Sequence, residues 1–145
     1  MSEVTTLAPV EVWKRCVRAA MNGEVTAQTA FYHEDGVLEF PFLLADGVPN
    51  RFEGREAIGR VFATLQAKVE RIGTSVDEET SSLVVHETTD PEVIIAEIEL
   101  SVEVGGVSRA SRYIQVVRVR DGKIASMRDY FAGGVDGIVT DALSE

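Results

Sequence analysis

At 145 residues the chain has single-domain length, enough to bury roughly 68–70% of the surface its unfolded form exposes. Its 45% hydrophobic and 26% charged residues are ordinary for a folded domain, and its net charge of -10 repels phosphate backbones, so nucleic acid is not an expected partner. The single Cys16 forms no internal disulfide, the first residues lack the basic start and apolar run of a secretory signal, and no apolar stretch approaches the ~20 residues of a spanning helix. A cytoplasmic location with no membrane partner is expected.

In Pro9–Met21 the residues Val10, Trp13, Val17 and Ala20 recur at helical steps, and Pro9 suits a first turn. Asn22-Gly23 stops that helix, and Val25–Tyr32 reads as a short second one. Glu34-Asp35-Gly36 reads as a turn, and Val37–Phe42 as a short strand that Pro41 limits to an edge or a strand end. After the loop Asp46–Asn50, the spacing of Ile58, Val61, Phe62, Leu65 and Val69 predicts a helix over Gly54–Val69.

The second half alternates at period two, predicting strands at Leu83–Val85, Val93–Val104, Arg109–Arg120 and Lys123–Ala132. Gly105-Gly106 and Asp121-Gly122 are two-residue hairpin turns between the last three. The tail after Gly133-Gly134 is left between a short helix and disorder. Helices first and a meander afterwards argue for an α+β fold in a single domain spanning 1–145, with a core of about 8–133.

Alternation assigns faces. Ile94, Ala96, Ile98, Leu100, Val102 and Val104 are inward, with Glu97, Glu99 and Glu103 outward. The Gly-Gly turn then opposes Glu99 with Arg112, a pair contributing roughly 0.2–1 kcal/mol, and turns Tyr113, Gln115, Val117 and Val119 inward. Met127, Asp129 and Phe131 share the inner face of the last strand. A carboxyl among apolar side chains has its charged form disfavoured, so Asp129 is expected to hold or exchange a proton near neutral pH. The structural alternative for Asp129 is an acid paired with a neighbouring arginine.

The element order, with Arg118-Val-Arg-Asp-Gly-Lys-Ile-Ala-Ser-Met-Arg-Asp-Tyr-Phe131, Gly36-Val-Leu-Glu-Phe-Pro41 and Phe52-Glu-Gly-Arg-Glu-Ala-Ile58, resembles the nuclear-transport-factor-2-like superfamily over nearly the whole chain. Within it the sequence is similar to the SnoaL-like and ketosteroid-isomerase-like proteins. The resemblance implies a cone-shaped, curved antiparallel sheet with a mixed edge, wrapped with three helices around an apolar pocket, and a homodimer. It puts Phe40 where ketosteroid isomerases carry their base, Cys16 at the oxyanion tyrosine and Gln115 at the second aspartate, so the steroid-isomerase set is incomplete. The Arg-x-Asp triplet of limonene epoxide hydrolases is absent, whereas Asp129 matches an acid used for proton transfer by several relatives.

The expected function is acid/base proton transfer on an apolar carbonyl or polyketide-like small molecule, with a non-catalytic ligand-binding or dimerisation module as the alternative. Asp129 is the expected acid/base and Gln115 the expected carbonyl partner, with Trp13, Cys16, Phe40, Phe62, Leu100, Tyr113 and Met127 against the ligand. No metal is expected, because His33, His86 and Cys16 have no metal-ligand spacing, and no cofactor is expected, because proton transfer of this kind needs none.

Overall fold

The computed structural model describes residues 6–131 and Leu143. Helix α1 (Pro9–Met21) has Pro9 in its first turn, where a missing N–H costs nothing. Its inward stripe is Val12, Trp13, Cys16 and Ala19, with Val10 and Val17 packed at its margin. Helix α2 (Val25–Ala30) ends before Tyr32, which the helical reading of Val25–Tyr32 had absorbed; Tyr32 instead opens strand β1 (Tyr32–Glu39).

Glu34-Asp35-Gly36 is not a turn but lies within β1, where the register against the last strand slips between Tyr32 and Val37. A bulge of this kind admits extra residues without ending the strand. Gly36 is required there: a Cβ would stand 3.0 Å from the His33 carbonyl oxygen and 3.1 Å from that of Ile124, both backbone atoms that cannot swing aside. The strand stops at Glu39, short of the expected Phe42, because Pro41 has no N–H for a ladder.

Strand β2 (Arg51–Glu53), unforeseen in the sequence, pairs antiparallel with β1. Helix α3 (Arg55–Ile72) begins after Gly54 and runs three residues past the expected Val69, until Gly73 takes the left-handed conformation at φ 75°. Strand β3 (Ser75–Glu87) is far longer than the expected Leu83–Val85. It is an edge strand, mostly exposed, so backbone pairing with its one neighbour holds it and apolar alternation is not needed. Its register slips between Asp77 and Ser82, and there the Ser81 hydroxyl replaces a ladder acceptor, receiving the Ser101 N–H at 3.0 Å.

Strands β4 (Val93–Val104), β5 (Val107–Arg120) and β6 (Lys123–Phe131) form the expected meander, with Ala132 and the tail outside the described residues. Both hairpin turns have positive φ at each central residue, 57° and 81° at Gly105-Gly106 and 53° and 74° at Asp121-Gly122, the mirror-image turns that suit strand twist. The register puts Glu99 opposite Arg112, with Arg112 donating across the pair at 3.3 Å. The sheet order is β2-β1-β6-β5-β4-β3, and β1 against β6 is its parallel pair.

The inner face of this unclosed mixed sheet packs on α1 and α3 in a core including Trp13, Tyr32, Leu38, Ile58, Ile94, Val117 and Ile124, each under 2% exposed. Leu143 packs against the same core. Full burial of each such aliphatic side chain contributes roughly 1.5–3 kcal/mol. On the outer face His86 meets Glu97 at 2.6 Å, so this histidine is in β3 and faces away from the core. His33 lies in β1 and accepts the Asp35 N–H on Nδ1. Among the described residues no group of His, Cys, Asp or Glu side chains is arranged to hold a metal, and no helix is long and apolar enough to cross a membrane.

A candidate ligand cavity with a braced carboxylate

Between the C-terminal ends of α1 and α3 and the concave face of the sheet lies a cavity of about 750 Å³. Its floor is Tyr32, Leu38, Phe40, Phe62 and Met127, all buried, and its rim includes the exposed Asn22, Glu70, Ser75 and Glu78. Eight of the nine residues expected at the site border it: Asp129, Gln115, Cys16, Phe40, Phe62, Leu100, Tyr113 and Met127. Trp13 does not. It is wholly buried behind the wall, so its contribution is not apolar contact with a ligand.

Trp13 instead starts a hydrogen-bond chain. The indole Nε1–H donates to Gln115 Oε1 at 2.8 Å, and Gln115 Nε2 donates to Asp129 Oδ2 at 3.0 Å. An indole can only donate, so it fixes which end of the Gln115 amide is oxygen, and the amide N–H must face the carboxylate. Residues 115 and 129 are opposite one another in the β5–β6 register, which is why a glutamine at one reaches an aspartate at the other. Gln115 therefore braces Asp129 before it meets any ligand. Asp129 Oδ1 is shielded from solvent. Along β5, Ser111 donates to the Tyr113 hydroxyl at 2.6 Å, extending the polar row on the inner face.

Tyr32 is the site residue that the sequence reading missed. It is 1% exposed, borders the cavity and stacks tilted on Phe62 at 5.5 Å between ring centroids. Its hydroxyl forms no hydrogen bond with a described residue. Burial first, then the neighbouring Cys16 thiol and Asp129 carboxylate, hold the phenol well above its usual range, so Tyr32 stays protonated and presents a donor. The available clue was the terminal position of Tyr32 in a weak helical pattern, next to the period-two run that begins at Val37.

Cys16 is buried, and desolvation pushes its thiol up to about 12 while Sγ donates to the Gln28 carbonyl oxygen at 3.7 Å. The thiolate is the nucleophile, so at pH 8 the folded protein is expected to resist iodoacetamide and to react once denaturant exposes Cys16. Mass spectrometry of the alkylated chain checks this. Rapid labelling of the native protein would show that the cavity wall opens readily.

Residues 13–127 match the model of the SnoaL-like domain. Over 123 residues the chain is 32% identical to an uncharacterized PhzA/B-like protein of Pseudomonas aeruginosa, covering 83% of this chain and 82% of that one. A solved Bacillus subtilis protein provisionally described as an isomerase superposes with a TM-score of 0.71 at 25% identity, over 94% of this chain and 92% of the other. A Catenulispora acidiphila protein with a ketosteroid-isomerase-like fold, solved with trimethylamine, superposes with a TM-score of 0.62 at 17% identity, over 88% of each chain. The profile match over most of the chain, the 32% identity and the shared curved sheet make this protein a member of the SnoaL-like domain family.

Proposed function

We propose that this protein is a small-molecule enzyme that moves a proton on an apolar carbonyl compound, with Asp129 as the acid/base. The observation that carries the reading is the chain from Trp13 through Gln115 to Asp129, which spends two donors on fixing one carboxylate in the wall of a largely apolar cavity. Bracing of this kind fits a group that must keep its position while a proton comes and goes.

In the reaction, an Asp129 oxygen takes a proton from the carbon next to the ligand carbonyl. The C–H electron pair moves into the enolate and its charge onto the carbonyl oxygen. The Tyr32 hydroxyl donates a hydrogen bond to that oxygen. Asp129 then returns the proton to the same or a neighbouring carbon, giving exchange in the first case and isomerisation in the second. Both end with the carboxylate restored, so the cycle is balanced without a cofactor. Phe40, Phe62, Leu100 and Met127 would supply the apolar wall, with Cys16 and Tyr113 beside the polar groups.

A thermal-shift panel of apolar ketones, fused-ring polyketides, sterols and epoxides tests for the ligand, because a compound bound only by the folded state raises its melting temperature, by about 2.7 kcal/mol of stability at a hundredfold excess over Kd. Carbon-13 NMR titration of the Asp129 carboxyl tests the role. A midpoint below the ~3.9 of an unperturbed aspartate would falsify the proton-transfer reading.

A further inference from the structure

Among the described residues, the charges on the cavity wall are all of one sign. Glu70 and Glu78 stand at the rim and Asp129 lies within, while no lysine, arginine or histidine among the described residues borders the cavity. Gln66 Nε2 donates to Glu70 Oε1 at 3.2 Å and so holds that carboxylate in place. Lys68 and Arg71, on α3 near the rim, are off the wall and have partners of their own. The residues outside the described set, 1–5 and 132–142 with 144–145, include Glu3, Asp136, Asp141 and Glu145 but no lysine, arginine or histidine. No side chain of those segments can therefore supply a countercharge.

The buried end is different. There Tyr32, 1% exposed and with its hydroxyl bonded to no described residue, borders the cavity and has a proton to offer an acceptor. We propose that the cavity selects an uncharged apolar carbonyl compound, or one bearing an amine at its outer end, and rejects carboxylates, phosphates and phosphate-bearing thioesters. An anion would pass Glu70 and Glu78 at the rim, lose its water beside Asp129 and gain no cation in return. A carbonyl oxygen would instead meet Tyr32, and an ammonium at the opposite end would meet Glu70 and Glu78. The inference rests on the proposed function for the cavity as a ligand site, and adds the charge class of the ligand.

The test is a matched series on one scaffold: 2-acetylnaphthalene, the same ketone with a 6-carboxylate, and the same ketone with a 6-aminomethyl group, with Kd measured by calorimetry on the full chain. The ketone and the amine are expected to bind at least about tenfold more tightly than the carboxylate, a gap of ~1.4 kcal/mol. Added salt should narrow it. The surface double variant E70Q/E78Q should narrow it at least about threefold, by weakening the amine and strengthening the carboxylate. A carboxylate that binds as tightly as the ketone overturns the inference, as does an unchanged gap in E70Q/E78Q. If none of the three binds, the inference falls with the cavity reading. Deuterium exchange at the ketone's α-carbon separates the two claims: the charge order without exchange sinks the proton-transfer role alone, and exchange without the charge order sinks the charge selection alone.

Discussion

Asp129→Asn is expected to remove α-carbon deuterium exchange of a bound ketone by about 10²- to 10⁴-fold, the usual contribution of a positioned acid/base, while ligand affinity changes less than about threefold. The substitution is close to isosteric. The asparagine carbonyl oxygen can still accept from Gln115 Nε2, which lies 3.0 Å from the oxygen it replaces, so the chain from Trp13 stays closed. What is lost is the basicity of the carboxylate. Exchange rates by proton NMR and a melting curve on the same sample read both quantities.

The two outcomes point to different proteins. Lost exchange with retained binding and melting temperature assigns Asp129 to proton transfer. Exchange that survives in the variant takes the proton transfer away from Asp129, and binding with no exchange in either protein favours a ligand-binding module built on the same fold. Fold similarity does not decide between them, because function belongs to the site and not to the sheet that carries it.

Much of this site was legible in the sequence because it lies on the meander. Gly105-Gly106 and Asp121-Gly122 pin two registers, and the apolar run of even positions from Ile94 to Val104 settles the inner face. Gln115 and Asp129 follow from those two facts as inward neighbours. The first half of the sheet was less legible for local reasons. The bulge in β1 breaks period two between Tyr32 and Val37, so Glu34-Asp35-Gly36 looked like a turn and Tyr32 like helix. Strand β3 carries Asp77-Glu78-Glu79-Thr80-Ser81-Ser82 because an edge strand held by backbone bonds has little need of apolar alternation. The contact of Trp13 with Gln115 joins residues 102 apart in sequence. Helical spacing turned Trp13 inward, but how α1 lies across β5 is a property of the packed core, which no local pattern carries.

That long-range contact predicts the second large effect. Gln115→Leu keeps the volume of the side chain and removes both ends of its amide, leaving the wholly buried Trp13 indole N–H without its acceptor and Asp129 Oδ2 without that donor. Each buried group stripped of its partner costs about 1–3 kcal/mol, so the variant is expected to lose ~2–4 kcal/mol in urea unfolding with an unchanged m-value. Trp13→Phe alone removes the indole donor and part of the core packing. In the double variant the stranded indole is gone, so the two losses should fall short of additive by at least ~0.5 kcal/mol, the coupling expected of directly bonded neighbours. Strict additivity would mean that the indole and the amide do not act on each other, and Gln115 would then be one polar residue among several on the inner face. Coupling of the expected size makes Trp13, out of reach of any ligand in the cavity, a positioning residue for the carboxylate: its variant should lower the exchange rate at saturating ketone more than it weakens ketone binding.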